Sequence, residues 1–462
     1  MRRAPLPLAA ALLLAGCIGP RPAPSADVAV VPPPAWRTTL GPGSPIAADW
    51  WQAFGDPQLT ALVTRALADS PDLGSAAARV EEARAQERLA RAQLSPNITA
   101  GVPVSESRSL TAFGTGLDQF GAQPLVQASY DFDLFGRLRN ARAAARAQLL
   151  ATEAARDTVR LALAAGVASG YVTLRALDHR LHIAEETLAA RADALRIARR
   201  RATTGYTSNL ELRQAEGEYR ATEQLVAAAR LAVTRQENAL SVLVGGTPGP
   251  IPRGLGIDQL VRPAIPDGLP ADLLRRRPDL FQAEQALVAA DRSLDSARAA
   301  MLPSLGLTGS AGVVLSNALP NPVTLFSIGG SVLAPIFDAG RLRAQSDASA
   351  ARRDQAAYAY RRTALTAFRE VDDSLASVRR SGEQAVALAG QRAAQADGLR
   401  IASNRYRAGY SSYLEQLDAQ RGLLSAELAL AEAQANQLTA YITLYQAMGG
   451  GWSPDAIRAT AR

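Results

Sequence analysis

The chain has 462 residues and a net charge of +7, and aromatic residues make up only 5% of it. Ala, Leu, Arg, Gln and Glu dominate long stretches, which is typical of long exposed helices rather than of a thick globular core. The arginines are scattered through segments of mixed sign, with no basic block interleaved with aromatics. We therefore interpret the positive charge as a solvated helix surface and expect no nucleic-acid partner.

The N-terminus predicts a secretory signal peptide over residues 1–16, because two arginines precede an apolar run that is too short to span a membrane. The run ends in the letters LAGC, which resemble a bacterial lipobox and predict that Cys17 carries a diacylglycerol and an N-acyl chain such as palmitate. Ile18 follows instead of Asp, which favours the outer membrane. Cys17 is the only cysteine in the sequence, so the alternatives are an intermolecular disulfide or an incidental residue.

Residues 17–60 predict a lipid-anchored tether and the start of an equatorial region. The letters PRPAPSADVAVVPPPAW indicate an extended Pro-rich segment. No later stretch offers about 18 uninterrupted apolar residues, so a membrane crossing by this chain would have to use strands.

The remainder of the chain is an internal repeat. Residues 70–102 parallel 277–309, residues 134–148 parallel 337–351, and a Gly-Tyr turn at Gly205 recurs at Gly409. The predicted division is repeat 1 over 61–245, an equatorial linker over 246–270, repeat 2 over 271–449 and a C-terminal equatorial tail over 450–462.

Each repeat predicts the same elements in the same order. A helix with Pro in its first turn comes first, then a strand pair, a long helix, the Gly-Tyr turn and a return helix. Helices of about 65 residues reach roughly 100 Å and have no core of their own, so they must pack sideways on similar helices. The predicted ranges are 71–95, 97–134, 137–202 and 208–243 in repeat 1, and 278–302, 304–337, 341–406 and 412–447 in repeat 2.

One long helix shows its packing seam in the letters ALTAFREVDDSLASV. Apolar residues recur there at spacings of three and four, which indicates a narrow stripe that faces another helix. The predicted seam residues are Leu365, Phe368, Val371, Leu375 and Val378.

The strand pairs alternate between apolar and polar residues. This period of two fits a barrel with lipid outside and water inside, and it also fits a soluble two-faced sheet. In repeat 1 the apolar set is Val126, Ala128, Tyr130, Phe132 and Leu134, and in repeat 2 a weaker set is Ile328, Val332 and Ile336.

Two strand pairs cannot close a barrel, and open strand edges are not tolerated in lipid. We therefore expect self-association. Three copies would supply twelve strands and would complete the ring of long helices.

Taken together, several motifs resemble the TolC-like outer-membrane factors. They are the lipobox, WWQAFGDPQLTALV, SPDL with RPDL, FGRLR with DAGRLR, and RAGYSSYLEQLDAQ. The chain looks most like the lipoprotein (NodT-type) branch that serves resistance-nodulation-division efflux pumps. The resemblance implies a mainly α fold with a transmembrane β part, in which a homotrimeric twelve-stranded β-barrel continues into a long periplasmic α-helical barrel. It places an equatorial belt near 28–60, 244–270 and 448–462.

The same resemblance implies the function and its partners. The chain would be a passive exit duct for solutes, held in outer-membrane lipid and joined to a periplasmic adaptor protein and an inner-membrane resistance-nodulation-division transporter. The Gly-Tyr turns would be the periplasmic tips that the adaptor contacts; a plain helix-capping turn is the alternative. The implied contact residues are Gly205, Tyr206, Gly409, Tyr410 and Ser411.

A pore gate is implied next to the second tip. Glu415 and Asp418 share a helix face, and threefold symmetry would make each of them a carboxylate ring that narrows the pore and favours cations. A plain solvated carboxylate is the alternative for Asp418. The other implied gate residues are Glu211, Tyr406, Arg421 and Arg405, and the position that carries Arg in some relatives is Ser411 here.

Enzyme motifs are absent from the sequence, since it has no G-x-S-x-G, H-E-x-x-H or Walker pattern. We therefore expect neither catalysis nor a cofactor beyond the acyl groups on Cys17, and no metal site. Two alternatives stay open: an outer-membrane duct of a protein secretion system, and a structural coiled-coil lipoprotein of the envelope.

Overall fold

The structure is a computed structural model that describes residues 20–23, 26–38, 46–110 and 112–454. Cys17, the predicted signal peptide and the end of the predicted C-terminal tail therefore lie outside the described residues. The described part is mainly helical. None of its helices combines the length and the apolar character needed to cross a membrane.

The predicted elements occur in the predicted order, and a helix that was not predicted precedes the first predicted helix of each repeat. Short 3-10 helices cover Ala26–Val28 and Trp50–Phe54. The α-helices are α1 (Pro57–Asp69), α2 (Pro71–Ala92), α3 (Arg137–Thr203), α4 (Asn209–Leu243), α5 (Pro270–Arg276), α6 (Pro278–Ala299), α7 (Arg341–Arg407) and α8 (Tyr413–Ala447). The strands are β1 (Asn97–Gly101), β2 (Val104–Leu110), β3 (Gly116–Ala122), β4 (Leu125–Phe132), β5 (Ser304–Ser316) and β6 (Val323–Leu333).

The long helices match their predicted bounds to within one residue, whereas α2 and α6 end three residues earlier than predicted, at Ala92 and Ala299. A proline follows each of them, at Pro96 and Pro303. Proline disfavours the helical conformation of the residue before it, so the last residues ahead of it form turns instead.

The strand prediction needs two corrections. The pair predicted over 97–134 is interrupted into β1–β2 and β3–β4, because Pro103 and Pro124 have no N–H to donate to a ladder. The Gln123 N–H donates to the Pro103 carbonyl across the break, at 2.9 Å. In addition, Leu134 and Ile336 lie beyond the ends of β4 and β6, so they do not belong to the alternating sets.

The strands form one antiparallel sheet with an apolar face and a polar face. β4 and β6 flank β5, β1 pairs with β4, and β2 pairs with β3. The register puts Tyr130 opposite Leu307 on one face and Ser129 opposite Thr308 on the other. Among the described residues, β1, β2 and β6 each have a single partner strand. The sheet therefore has the period-two polarity that the sequence predicts, and both of its edges are open.

The described chain forms two compact units, and each unit takes segments from both repeats. The first contains the sheet and the helical segments next to it. Its buried Glu87, between α2 and α3, accepts from Arg91 at 3.1 Å and from Arg142 at 3.3 Å. The described parts of this unit are residues 20–23, 26–30, 78–110, 112–153 and 282–362.

The second unit has the larger apolar core, which includes Trp50, Phe54 and Tyr171. A buried carboxylate ties this core together, because Asp56 caps α1 through the Gln58 N–H at 2.7 Å. Asp56 also accepts from the Tyr171 hydroxyl at 2.8 Å and from the Leu255 N–H at 3.0 Å. Burial and the bond to Asp56 raise the pKa of Tyr171. The segment WWQAFGD therefore supplies both apolar residues and a buried hydrogen-bonded carboxylate to the core of the second unit.

The packing seam of α7 is shifted by one residue at its start. Leu365 is 53% exposed, whereas its neighbour Ala364 is fully buried. From Ala364 the spacing to Phe368 and onward alternates between four and three residues, which keeps the stripe on one helix face. The prediction of Leu365 was wrong, and the other four seam residues are buried as predicted: Phe368, Val371, Leu375 and Val378.

Candidate functional site

The first Gly-Tyr turn joins α3 to α4 in the second unit. Gly205 adopts a positive φ of 71°, and the Tyr206 N–H donates to the Arg201 carbonyl at 2.8 Å, which closes the helix end. Only glycine reaches this left-handed conformation at little cost. Ser208 then caps α4 by accepting from the Glu211 N–H at 3.3 Å. Gly205 therefore ends the long helix α3, and Ser208 starts the return helix α4 three residues later.

The second Gly-Tyr turn repeats this geometry between α7 and α8. Gly409 has a φ of 78°, the Tyr410 N–H donates to the Arg405 carbonyl at 2.9 Å, and Ser412 accepts from the Glu415 N–H at 3.4 Å. The two turns are therefore the same structural device used twice, as the repeat predicts.

The residues predicted to contact an adaptor differ in their exposure. Tyr206 is 87% exposed and Tyr410 is 80% exposed, so both rings are accessible in this chain. Ser411 is different, because its hydroxyl oxygen is buried and has no hydrogen-bond partner among the described residues. The contact role predicted for these residues stays a prediction.

Tyr406 joins the two hairpins beside the turns. Its hydroxyl donates to the Glu211 carboxylate on α4, and it accepts from the Arg201 guanidinium on α3 at 2.9 Å. The Thr207 hydroxyl donates to the other oxygen of Glu211. Burial and the hydrogen bond to Glu211 raise the pKa of Tyr406 to about 12. The hydroxyl therefore stays protonated and can act as a donor at any physiological pH.

The two carboxylates predicted for the gate lie on α8 and differ in their partners. Glu415 pairs with Arg405 on α7 at 3.4 Å. Asp418 lies 3.9 Å from Arg421 on its own helix, and its side chain is 65% exposed. Glu415 therefore has a cationic partner on the neighbouring helix, whereas the contact between Asp418 and Arg421 is long.

Arg421 has a closer partner that the sequence did not reveal. Its Nε donates to Glu218 on α4 at 2.9 Å. The other oxygen of Glu218 lies 3.4 Å from the guanidinium of Arg191 on α3, whose side chain is only 3% exposed. Arg191 also donates to Gln420 on α8, and burial lowers its pKa. Glu218 is therefore shared by arginines of both hairpins.

Apolar packing supports these polar contacts. Leu195, Ala198, Ala215, Tyr413 and Leu417 form one buried cluster that draws on α3, α4 and α8. The rings of Tyr406 and Tyr413 lie 5.8 Å apart. The polar links between the hairpins therefore lie against a packed surface, which limits the positions that they can take.

The residues that sequence reasoning missed differ in how visible they were. Arg201 is the repeat counterpart of Arg405, so comparison of the two tips could have found it. Glu218 and Arg191 correspond to Gly422 and Gln395 in the other repeat. Because these charged residues occur in only one of the two repeats, a comparison of the repeats does not reveal them.

The arrangement provides charged and hydrogen-bonding links between helices. Among the described residues, no three His, Cys, Asp or Glu side chains come close enough together to hold a metal ion. The site can hold the two helical hairpins together through hydrogen bonds and ion pairs.

Comparison with known proteins identifies the family of the chain. The family model "Outer membrane efflux protein" matches residues 62–246 and 269–450. The chain is 36% identical over 459 residues to the antibiotic efflux pump outer membrane protein ArpC of Pseudomonas putida, with 96% of this chain and 94% of that protein covered.

Solved structures extend the similarity to the fold. The structure of CusC superposes with a TM-score of 0.81 at 32% identity, covering 93% of this chain and 99% of that one. The open state of the MtrE outer membrane channel of Neisseria gonorrhoeae gives a TM-score of 0.82 at 29% identity, covering 94% and 98%. Over nearly its whole length, therefore, this chain belongs to the outer membrane efflux protein family.

Proposed function

We propose that this protein is the passive outer-membrane exit duct of a tripartite efflux pump, closed at the end that carries the two Gly-Tyr turns. The observation that carries the proposal is the family match, which runs through both repeats. The energy would come from an inner-membrane resistance-nodulation-division transporter, and a periplasmic adaptor would join the transporter to the duct.

The sheet supports a trimeric barrel as the membrane-spanning part. Its apolar face is exposed in the single chain: Phe326 is 85% exposed and Ile328 is 79% exposed. The opposite face carries Ser310 and Ser327, whose hydroxyls lie 2.9 Å apart. Lipid would cover the apolar face, and water would fill the polar side. The unpaired edges at β1, β2 and β6 need strands from neighbouring copies. If β1–β2 and β3–β4 are each counted as one interrupted strand, a copy supplies four strands, and three copies would close a ring of twelve.

The acyl anchor on Cys17 would add a second attachment to the outer membrane. Its support is the sequence alone, because Cys17 lies outside the described residues. Two or more acyl chains make membrane attachment stable, whereas a single chain gives only marginal binding.

The gate would be formed by the bonds between the two hairpins. Tyr406, Glu211 and Arg201 make one link, and Glu218 with Arg421 makes the other. Exposed Glu415 and Asp418 would form carboxylate rings in the trimer that attract cations to the narrow end. An adaptor that binds the exposed Tyr206 and Tyr410 tips better in the open state would shift the equilibrium toward opening.

Planar-bilayer recording of the purified, acylated protein tests this function. We expect discrete, cation-favouring channels and a trimer that dissociates into monomers on heating in detergent. A preparation that is acylated and folded but monomeric, without any channel, would refute the duct. It would favour the structural lipoprotein instead.

A further inference from the structure

The N-terminal segment that follows Cys17 is docked on the first unit and does not act as a free tether there. We call residues 20–23 and 26–30 the strap. Its Pro22 carbonyl accepts from Nη1 of Arg353 on α7 at 2.7 Å, and its Ala23 carbonyl accepts from Nη2 at 3.0 Å. The Arg353 side chain is only 3% exposed. The expectation of an extended Pro-rich tether is therefore incomplete, because part of the segment is held by a buried arginine.

Further contacts flank Arg353 on both sides along the strap. Arg298 on α6 donates to the Pro20 carbonyl at 3.1 Å, and Arg361 on α7 donates to the Asp27 carbonyl. In the opposite direction, Arg21 of the strap pairs with Asp291 on α6 at 2.8 Å and with Asp295 at 3.1 Å. The strap is thus held at several points along its length.

The chemistry of the two sides is complementary. Proline has no N–H, so a Pro-rich segment offers mainly carbonyl acceptors. Arginine has five N–H donors and no acceptor. Arg353 also donates to Asp354 at 2.8 Å and 3.0 Å, which fixes the plane of its guanidinium against the strap. The arginine side chains therefore supply donors that match the carbonyl acceptors of this segment.

The docking position limits where the acyl anchor can lie. The Pro20 carbonyl is bound by Arg298, which is one residue from the end of α6, and β5 begins shortly afterwards at Ser304. Cys17 precedes Pro20 by three residues, and three extended residues span at most about 11 Å. An acyl group on Cys17 must therefore enter lipid close to the junction between α6 and β5.

We propose that Arg298, Arg353 and Arg361 form a docking site for the strap, and that the docked strap is a strut that holds the acylated Cys17 at the helical end of the sheet. Arg353 is the main positioning residue because it holds two strap carbonyls from a buried site. The proposal rests on the acylation suggested above. It adds that the anchor has a fixed place relative to the strands, rather than the freedom of a flexible leash.

A spin label at Ala23→Cys in the acylated protein in lipid vesicles tests the docking, since the native cysteine is blocked by its acyl groups. We expect an immobilised spectrum in the otherwise native protein. With Arg353→Ala, the mobile component should become the larger one. The matched control is Arg352→Ala, which removes an exposed arginine from the neighbouring position on α7 and should leave the label immobilised. A label that stays immobilised when Arg298, Arg353 and Arg361 are all replaced by alanine would overturn the docking site.

A photoactivatable fatty acid incorporated on Cys17 tests the fixed position of the anchor. We expect cross-links to peptides around residues 299–306. A ten-residue Gly-Ser insertion between Gly19 and Pro20, which can span about 18 Å, should disperse them. The same insertion between Val30 and Val31 should leave them in place, because the docked part of the strap then still lies next to the anchor. If both insertions give the same cross-links, the strut is wrong.

These outcomes are separable from a failure of the proposed function. The mass of the N-terminal peptide reports acylation, and bilayer conductance reports the duct. A protein that conducts and is acylated, yet has a mobile strap, would refute only the strut. A protein with an immobilised strap and no conductance would refute only the duct.

Discussion

Tyr406→Phe removes one hydroxyl from the link between the hairpins and should open the duct more often. The substitution keeps the ring against Tyr413, and it deletes the hydrogen bond to Glu211 and the acceptor for Arg201. Hydrogen bonds that involve a charged group contribute about 1.5–3 kcal/mol. Since Tyr406 is only partly buried, we expect about 1–2 kcal/mol, which changes the ratio of open to closed states about 5- to 30-fold.

Single-channel recording gives the open fraction directly. A duct that is open about 1% of the time would be open about 5–25% of the time after this change. The bond itself should be insensitive to ordinary pH. The raised pKa of Tyr406 means that its contribution is complete below the usual tyrosine pKa of about 10, and it is lost only as the pH rises through about 12.

Tyr410→Phe is the matched control, because that side chain is 80% exposed at the second turn. It should leave the open fraction in a bilayer without adaptor unchanged. If Tyr406→Phe gives folded trimers with an unchanged open fraction, the link between the hairpins does not hold the duct closed, and this reasoning is refuted.

Three other variants test separate parts of the molecule. Glu415→Ala combined with Asp418→Ala should raise single-channel conductance and weaken the preference for cations, since two carboxylate rings are lost. Glu218→Gln should raise the open fraction about 5-fold or more, because it removes the charge shared by two arginines. Tyr171→Phe should lower the free energy of unfolding in urea by about 2 kcal/mol, because buried Asp56 and the Gly254 N–H each lose a partner.

Each of these has a control of the same chemistry on an exposed surface. Asp397→Ala removes a carboxylate that pairs within its own helix with Arg400, and Glu223→Gln does the same for a pair with Arg220. Tyr206→Phe alters a hydroxyl on a ring that is 87% exposed. A control that changes conductance or stability as much as its partner variant would show that the effect is general and not specific to the site.

The sequence was most informative where a local signal sufficed. Pro71 and Pro278 open helices α2 and α6, and the glycines at 205 and 409 end the long helices within one residue of the predicted bounds. These positions follow from backbone chemistry that acts over a few residues, so no tertiary contact is needed to read them. The same holds for the alternation of β4, which places Tyr130 and Ser129 on opposite faces.

Prediction was weaker where a residue's partner lies far along the chain. Arg421 was expected among the gate residues, but the sequence did not reveal that its closer contact is Glu218 on another hairpin. Leu365 was expected in the seam of α7, but the buried residue is its neighbour Ala364. The burial of Arg353 under the strap has no counterpart in any local pattern. Periodicity gives the face of a helix to within a residue, and it cannot identify what that face contacts.

The sequence by itself therefore determined the repeated plan, the lengths of the four long helices, the two turns and the polarity of the strands, because each depends on interactions between residues close in the chain. Only the tertiary structure decided that Tyr406 binds Glu211, that Glu218 joins two arginines and that the strap is held by Arg353. The contacts of Tyr406 with Glu211, of Arg421 with Glu218 and of Arg353 with Pro22 join residues that lie 195, 203 and 331 positions apart. Side chains that distant meet only when packing brings the helices together, and packing is a property of the whole fold.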